Sequence, residues 1–231
     1  MAESPKNSTD TPVPWGDVVR FIRQLSHDLR NHLNAVELQS SFLNELAEDA
    51  EQKAEIQRLR GMTAQLSGAL QKLTTSIASV KLTEMPYKAS EFVEDLQQKL
   101  AADFPTESAS VEWTSEVGDE TDSIDPQLLP QAFVELFANA FKHDRGSGAI
   151  SASSKIDNGK FVFTLREPKT KFEDSTENWG RPMQRVNQGH YGLGLHRARA
   201  ILEAHRGTLH ARYDAPSFIT TVELPLLHNA K

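Results

Sequence analysis

Between residues 18 and 46 the apolar positions Val18, Ile22, Leu25, Leu29, Leu33, Val36, Leu43 and Leu46 recur mostly three or four apart, the spacing that lines side chains along one stripe of an α-helix. The pattern predicts one long amphipathic helix running to about Glu48. The acidic stretch Glu48-Asp49-Ala50-Glu51 reads as a turn, after which Ile56, Leu59, Met62, Leu66, Leu70, Leu73, Ile77 and Val80 keep the same spacing. A second helix is predicted there, stopped by Pro86, which cannot continue it. Two such helices, each of about 30 residues, form a hairpin whose apolar seam a lone hairpin cannot cover. Pairing with a second copy into a dimeric four-helix bundle would cover it, and packing against the C-terminal part of the same chain is the other way to do so.

After Pro86 the periodicity changes. Residues 89–104 predict an amphipathic helix around Phe92, Val93, Leu96 and Leu100, and Val111-Glu112-Trp113-Thr114 predicts a strand. A helix over Pro126 to His143 has Asp125 in front of it as a cap. Two strands, Ala149–Ser153 and Lys160–Leu165, flank Asp157-Asn158-Gly159, which has the chemistry of a hairpin turn. A long loop over 166–191, carrying Pro168, Gly180 and Pro182, precedes a helix at 193–205, and loops of that length in compact domains commonly serve binding. Gly207 ends the helix, and strands follow around Leu209–Tyr213 and Phe218–Leu224. The fold class expected is α+β, a helical hairpin followed by an α/β sandwich with helices on one face of a mixed sheet. The division expected is a disordered leader over 1–14, rich in Ser, Thr, Pro and Asn, a hairpin over 15–85 and a sandwich domain over 86–231.

Composition narrows the class. The 231 residues suffice for two modest domains. No run approaches the ~20 apolar residues of a membrane span, and the N-terminus lacks the apolar core of a signal peptide. Zero cysteines exclude disulfides and thiolate metal sites and fit a cytoplasmic protein. A net charge of -7 with both signs interspersed argues against a general nucleic-acid binder.

Three segments carry candidate chemistry. His27 sits off the centre of the first apolar stripe, beside Asp28, so it is expected to face solvent. A neutral imidazole has one nitrogen able to attack an electrophilic phosphorus, and an adjacent carboxylate can orient the ring and take the proton from the other. Glu135, Asn139 and Lys142 or His143 share one face of the helix over Pro126 to His143. Oxygen ligands four apart can hold one Mg2+, and Lys142 could offset phosphate charge. Gly189-His190-Tyr191-Gly192-Leu193-Gly194-Leu195 leads into a helix, where glycines let backbone N–H groups approach an anion and the helix N-terminus favours it.

Taken in order, these segments resemble the catalytic core of a sensor histidine kinase. The parts of that core are a dimerisation and histidine-phosphotransfer hairpin and a Bergerat-type ATP-binding domain of the GHKL superfamily. His27-Asp28-Leu29-Arg30-Asn31 is similar to the H box, whose histidine is phosphorylated with help from the next acidic residue. Asp28 and Asn31 also match a pattern linked in such families with dephosphorylation of the partner. Glu135 to His143 resembles the N box, with Asn139 at the magnesium-ligand position. Gly192-Leu193-Gly194-Leu195 and the helix after it resemble the G2 box. Where the family has Asp-x-Gly-x-Gly, its aspartate binding the adenine amino group, this chain has Arg166-Glu167-Pro168-Lys169-Thr170, with Glu167 as the substitute acceptor.

The resemblance implies ATP and Mg2+ as cofactors, bound through Glu135, Asn139, Lys142, His143, Glu167, Gly189, Gly192, Leu193 and Gly194. It also implies a homodimer, a response-regulator receiver domain as phosphoryl acceptor, and a separate sensor protein as a further candidate partner. The first reading is ATP-dependent autophosphorylation on His27, with Asp28 as base, then transfer to a receiver aspartate. The second is a degenerate kinase that relays phosphoryl groups between receivers, or acts as a scaffold, without ATP. A serine kinase of anti-sigma type is a third, set back by the placement of His27 on a dimerising hairpin.

Overall fold

A computed structural model describes residues 13–142, 146, 148–172, 176, 179 and 192–226. Residues 1–12 of the expected leader, His143, Gly189 and most of the loop from 173 to 191 lie outside the described residues. The chain divides into two compact units, Met1–Ala78 and Ser79–Lys231, with the break earlier than the expected one at residue 85.

The first unit is a helical hairpin. Helix α1 spans Trp15–Leu46 and α2 spans Ala50–Ser76. The Asp49 side chain accepts a hydrogen bond from the Glu51 backbone N–H and caps α2. The expected extension of α2 to Val80, with Pro86 as its stop, does not occur. The hydroxyls of Thr74 and Ser76 bond back to the carbonyls of Leu70 and Lys72, an arrangement that competes with the helical ladder, and Ile77 is the C-cap. Pro86 instead lies in strand β1, Met85–Lys88. Between the helices the hairpin buries mostly small side chains, Ser26, Ser40 and Thr63, with Leu70. Across the pair, Arg60 donates twice to Glu37, at 2.9 and 2.7 Å, and Arg30 to Gln71 at 2.8 Å. Of the predicted stripes, Leu25, Leu29, Val36, Leu43, Leu46, Leu59, Met62 and Leu66 stand exposed.

In the second unit β1 pairs antiparallel with β3 (Thr121–Ile124). A five-stranded mixed sheet has the order β2-β4-β5-β7-β6. Its strands are β2 (Val111–Glu116), β4 (Ile150–Asp157), β5 (Lys160–Pro168), β6 (Thr208–Asp214) and β7 (Ser217–Pro225), with β2 and β4 parallel and the other pairs antiparallel. Helices α3 (Ala89–Asp103), α5 (Leu129–Lys142) and α6 (Leu193–Ala204) cover one face, and a short α4 spans Pro105–Ser108. The sequence pattern missed β1, β3 and α4, all four residues long. The alternation Phe161, Phe163, Leu165 turns β5's apolar side to the helices, where Phe92, Phe133 and Phe137 close the core through edge-on ring contacts.

Two boundaries differ from expectation. Helix α5 begins at Leu129, not Pro126, because Asp125 accepts from the backbone N–H groups of Gln127 and Leu128 and holds the preceding residues as a turn. Strand β5 continues to Pro168, so the long loop starts later than residue 166. Its backbone stays paired through Glu167↔Phe218 and Pro168↔Ser217.

Candidate functional site

His27 lies in the middle of α1 with 66% of its side chain exposed. Its Nδ1–H donates to Asp28 Oδ1 at 3.1 Å, which fixes the neutral ring in the tautomer whose lone pair is on Nε2. One helical turn earlier, Gln24 Nε2 donates to the same carboxylate oxygen at 2.9 Å. The hydrogen bonds from His27 and Gln24 hold the Asp28 carboxyl below its ordinary value, so Asp28 remains an ionised acceptor. Asn31 Nδ2 lies 3.5 Å from His27 Nδ1. Gln24 escaped sequence reasoning, although its i, i+4 spacing to Asp28 is the available signal.

In the second unit α5 and α6 bring two further segments together. Glu135 and Asn139 are one turn apart on α5. Gly192 is the N-cap of α6 in the left-handed region, at φ 63°. Gly194 lies so close to α5 that a Cβ there would meet the far end of the Glu135 side chain, which would have to move aside. The start of α6, Leu193 included, thus faces the Glu135 side of α5, while Lys142 closes that helix. Among the described residues no group of three or more His, Cys, Asp or Glu forms a metal cluster, and a cation here would rest on Glu135 and Asn139 with other ligands supplied by phosphate and water.

Glu167 is in a different setting from an open turn. It is 5% exposed, and Lys169 is 7% exposed with its Nζ 3.4 Å from Glu167 Oε1. Burial pushes the Glu167 carboxyl above its ordinary value, while Lys169 pulls it down. The ammonium also lies 5.6 Å from the centre of the Phe172 ring and 5.4 Å from that of Phe218, within cation–π range. Those rings meet at a tilt with centroids 4.6 Å apart, and the Trp179 ring lies 5.5 Å from that of Phe218. Lys169, Phe172 and Phe218 were not among the expected site residues. The i, i+2 spacing of Glu167 and Lys169, which puts both on one side of extended backbone, was the only local sign.

No family model matches the chain. Among curated proteins it is similar to the heme sensor protein HssS of Staphylococcus aureus strain MSSA476, 23% identical over 227 residues, covering 91% of this chain and 47% of that protein. The chain therefore spans about half the length of the curated relatives it matches. Among solved structures it superposes on full-length ShkA in complex with AMPPNP with a TM-score of 0.68 at 19% identity, covering 92% of this chain and 47% of that one. The histidine kinase ThkA in complex with the response regulator TrrA gives a TM-score of 0.59 at 15% identity, over 92% of this chain and 63% of that one. The chain has the fold of a histidine kinase core. Within that fold α1 and α2 form the helical hairpin, and the sheet with α3, α5 and α6 forms the catalytic-domain architecture. No helix among the described residues is long and apolar enough to cross a membrane.

Of the residues expected to hold ATP with Mg2+, Glu135 on α5 lies against Gly194 at the start of α6, with Asn139 one turn further along α5, an arrangement that suits a phosphate and a cation. Glu167, the expected adenine acceptor, is instead buried against Lys169 of the same chain, which does not suit an entering donor.

Proposed function

We propose that the chain is the phosphoryl-carrying core of a two-component signalling system, with His27 as carrier and a receiver-domain aspartate as its exchange partner. The observation that carries this reading is the exposed His27 ring held by Asp28 through Nδ1–H. Nε2 attacks phosphorus as the bond from phosphorus to the leaving oxygen breaks. Asp28 stabilises the charge that develops on the ring and can accept the Nδ1 proton. Passage to the receiver reverses this order: the phosphorus–nitrogen bond breaks as a carboxylate oxygen of the receiver attacks, and the ring returns to the neutral tautomer. Such transfer depends mainly on positioning. The exposed Leu25, Leu29, Leu43 and Leu66 support pairing of two hairpins into a four-helix bundle, which would bury a stripe too apolar for water.

Two sources could load His27. The phosphate-end geometry supports ATP, whose γ-phosphoryl group would be held by Asn139 and Glu135 through a cation and by the α6 N-terminus. The buried Glu167–Lys169 pair favours the other source, a phosphorylated receiver. Of the two, the second is the reading adopted, on the burial of Glu167 against Lys169. Incubation with γ-labelled ATP and Mg2+, and separately with a receiver domain labelled on its aspartate by radiolabelled acetyl phosphate, distinguishes them. Acid-labile, base-stable label is expected from the receiver and none is expected in His27→Ala. Absence of label from both sources, or its persistence in His27→Ala, would remove His27 from the role. Asp28→Asn is expected to slow loading by about 10²-fold, the lower end of what a positioned acid–base group contributes.

A further inference from the structure

We propose that Lys169 is a built-in occupant of the position where the histidine kinase fold receives a purine, so that this chain excludes adenine nucleotides from its own nucleotide region. The inference rests on the phosphotransfer reading above and adds to it the means by which one phosphoryl source is denied.

A purine amino group needs a carboxylate oxygen that is free to accept, and a flat slot with apolar faces. Here both are already used. Glu167 Oε1 is 3.4 Å from Lys169 Nζ, and with both residues almost wholly buried the carboxylate is withdrawn from any entering donor. The rings of Phe172 and Phe218, which would offer a base its stacking surface, instead carry the ammonium at 5.6 and 5.4 Å. The lysine thus satisfies both the charge and the aromatic faces that a purine would otherwise use.

The backbone around it is fixed as well. Lys169 N–H donates to Pro216 O at 2.7 Å, which continues the β5–β7 ladder one residue past the strand. Gly146 N–H donates to Pro168 O at 2.8 Å, and a Cβ at Gly146 would lie 3.2 Å from Pro168 C, so Gly146 sits directly on the strand end. The Tyr213 hydroxyl reaches the carbonyls of Lys169 and Thr170 at 3.2 and 3.0 Å. Withdrawing Lys169 would leave Glu167 as a buried carboxylate without its counter-charge, which is strongly unfavourable. A nucleotide would have to supply that loss before gaining any contact of its own.

The test is calorimetric titration of the full chain with ADP and Mg2+. The wild type is expected to show no saturation up to about 1 mM, the upper end of ordinary substrate affinities. Lys169→Gly, which removes the ammonium and the side chain together, is expected to bind at least about tenfold more tightly. Saturation of the wild type below that concentration, or a folded Lys169→Gly that gains nothing, overturns the proposal. Because the glycine variant leaves Glu167 unpartnered and could fail to fold, a second measurement uses the wild type alone. The backbone amide resonances of Glu167, Lys169 and Phe218 are expected to stay in place when adenosine is added, and saturable shifts there overturn the proposal equally. Loading of wild-type His27 from a labelled receiver is followed in parallel. Its failure would remove the carrier role while leaving the purine result standing.

Discussion

The two units of this chain use their apolar residues in opposite ways. In the α/β unit Phe133, Phe137, Phe163 and Phe218 are fully buried, and Met85 is the one large apolar residue there that is markedly exposed among the described residues. In the hairpin Phe21, Leu25, Leu38, Leu59, Met62 and Leu66 all stand in solvent, while serines and a threonine fill the gap between the helices. One unit has completed its core from its own sequence. The other has a core that only a further surface can complete, and a stripe this apolar is what an obligate helical interface looks like when seen from one side. Equal helix periodicity does not imply equal self-sufficiency: α5 and α1 share the same spacing, but α5 has a sheet within its own unit to receive it and the hairpin unit has none among the described residues.

The largest effect is expected at Phe163, whose ring meets Phe133, Phe137 and Trp113. Phe163→Ala should cost about 3–5 kcal/mol, as for other fully buried rings, and denaturant unfolding should show the loss to be independent of protein concentration. Next comes the hairpin seam. Leu66→Glu should convert a dimer to a monomer by light scattering, with the hairpin's melting temperature no longer rising with concentration. An unchanged mass would show that the seam is covered in some other way.

A smaller effect is expected at Asp125, a buried carboxylate that ties β3 to α5. Burial opposes its ionisation, yet the backbone N–H groups of Thr83, Leu128 and Gln127 hold it below its ordinary value. An acid lowered on folding stabilises the fold above its unfolded value, and this contribution is lost as pH falls through the folded one. Asp125→Ala should therefore cost about 1–3 kcal/mol at neutral pH, and the difference from wild type should shrink in acid denaturation curves. The smallest effect is at Glu167, where the sign reverses. An acid raised on folding holds its proton more tightly in the native state, so its contribution is present below the ordinary carboxylate value and is lost as pH rises through the raised one. Glu167→Gln should flatten that decline in a plot of stability against pH, and an equally steep decline in the variant would assign it to another group.

Much of this was legible in the chain itself. The hairpin, α3, α6 and the strands on either side of Asn158-Gly159 follow from periodicity and turn chemistry, since Asn158 and Gly159 both adopt the positive φ that such a turn demands. The exposure of His27 follows from its place off the apolar stripe. The strands β1 and β3 were not legible, because four residues are too few to show a period and each exists by pairing with the other. The long-range role of the buried His205 has no local sign either. In the structure its Nδ1–H donates to Ile201 O at 2.8 Å and its Nε2 accepts the Asp125 backbone N–H at 3.0 Å, across eighty residues.

What the sequence determined by itself was local: helix periodicity, the turn at Asn158-Gly159, and a histidine next to a carboxylate, all set by residues within a few positions of one another. The state of Glu167, by contrast, is set by residues brought together from distant parts of the chain. Its register opposite Phe218, the arrival of Lys169 over that ring, and the backing of Gly146 and Tyr213 join segments tens of residues apart. A side chain's availability depends on which neighbours the sheet brings to it, and that is a property of topology and packing, not of spacing along the chain.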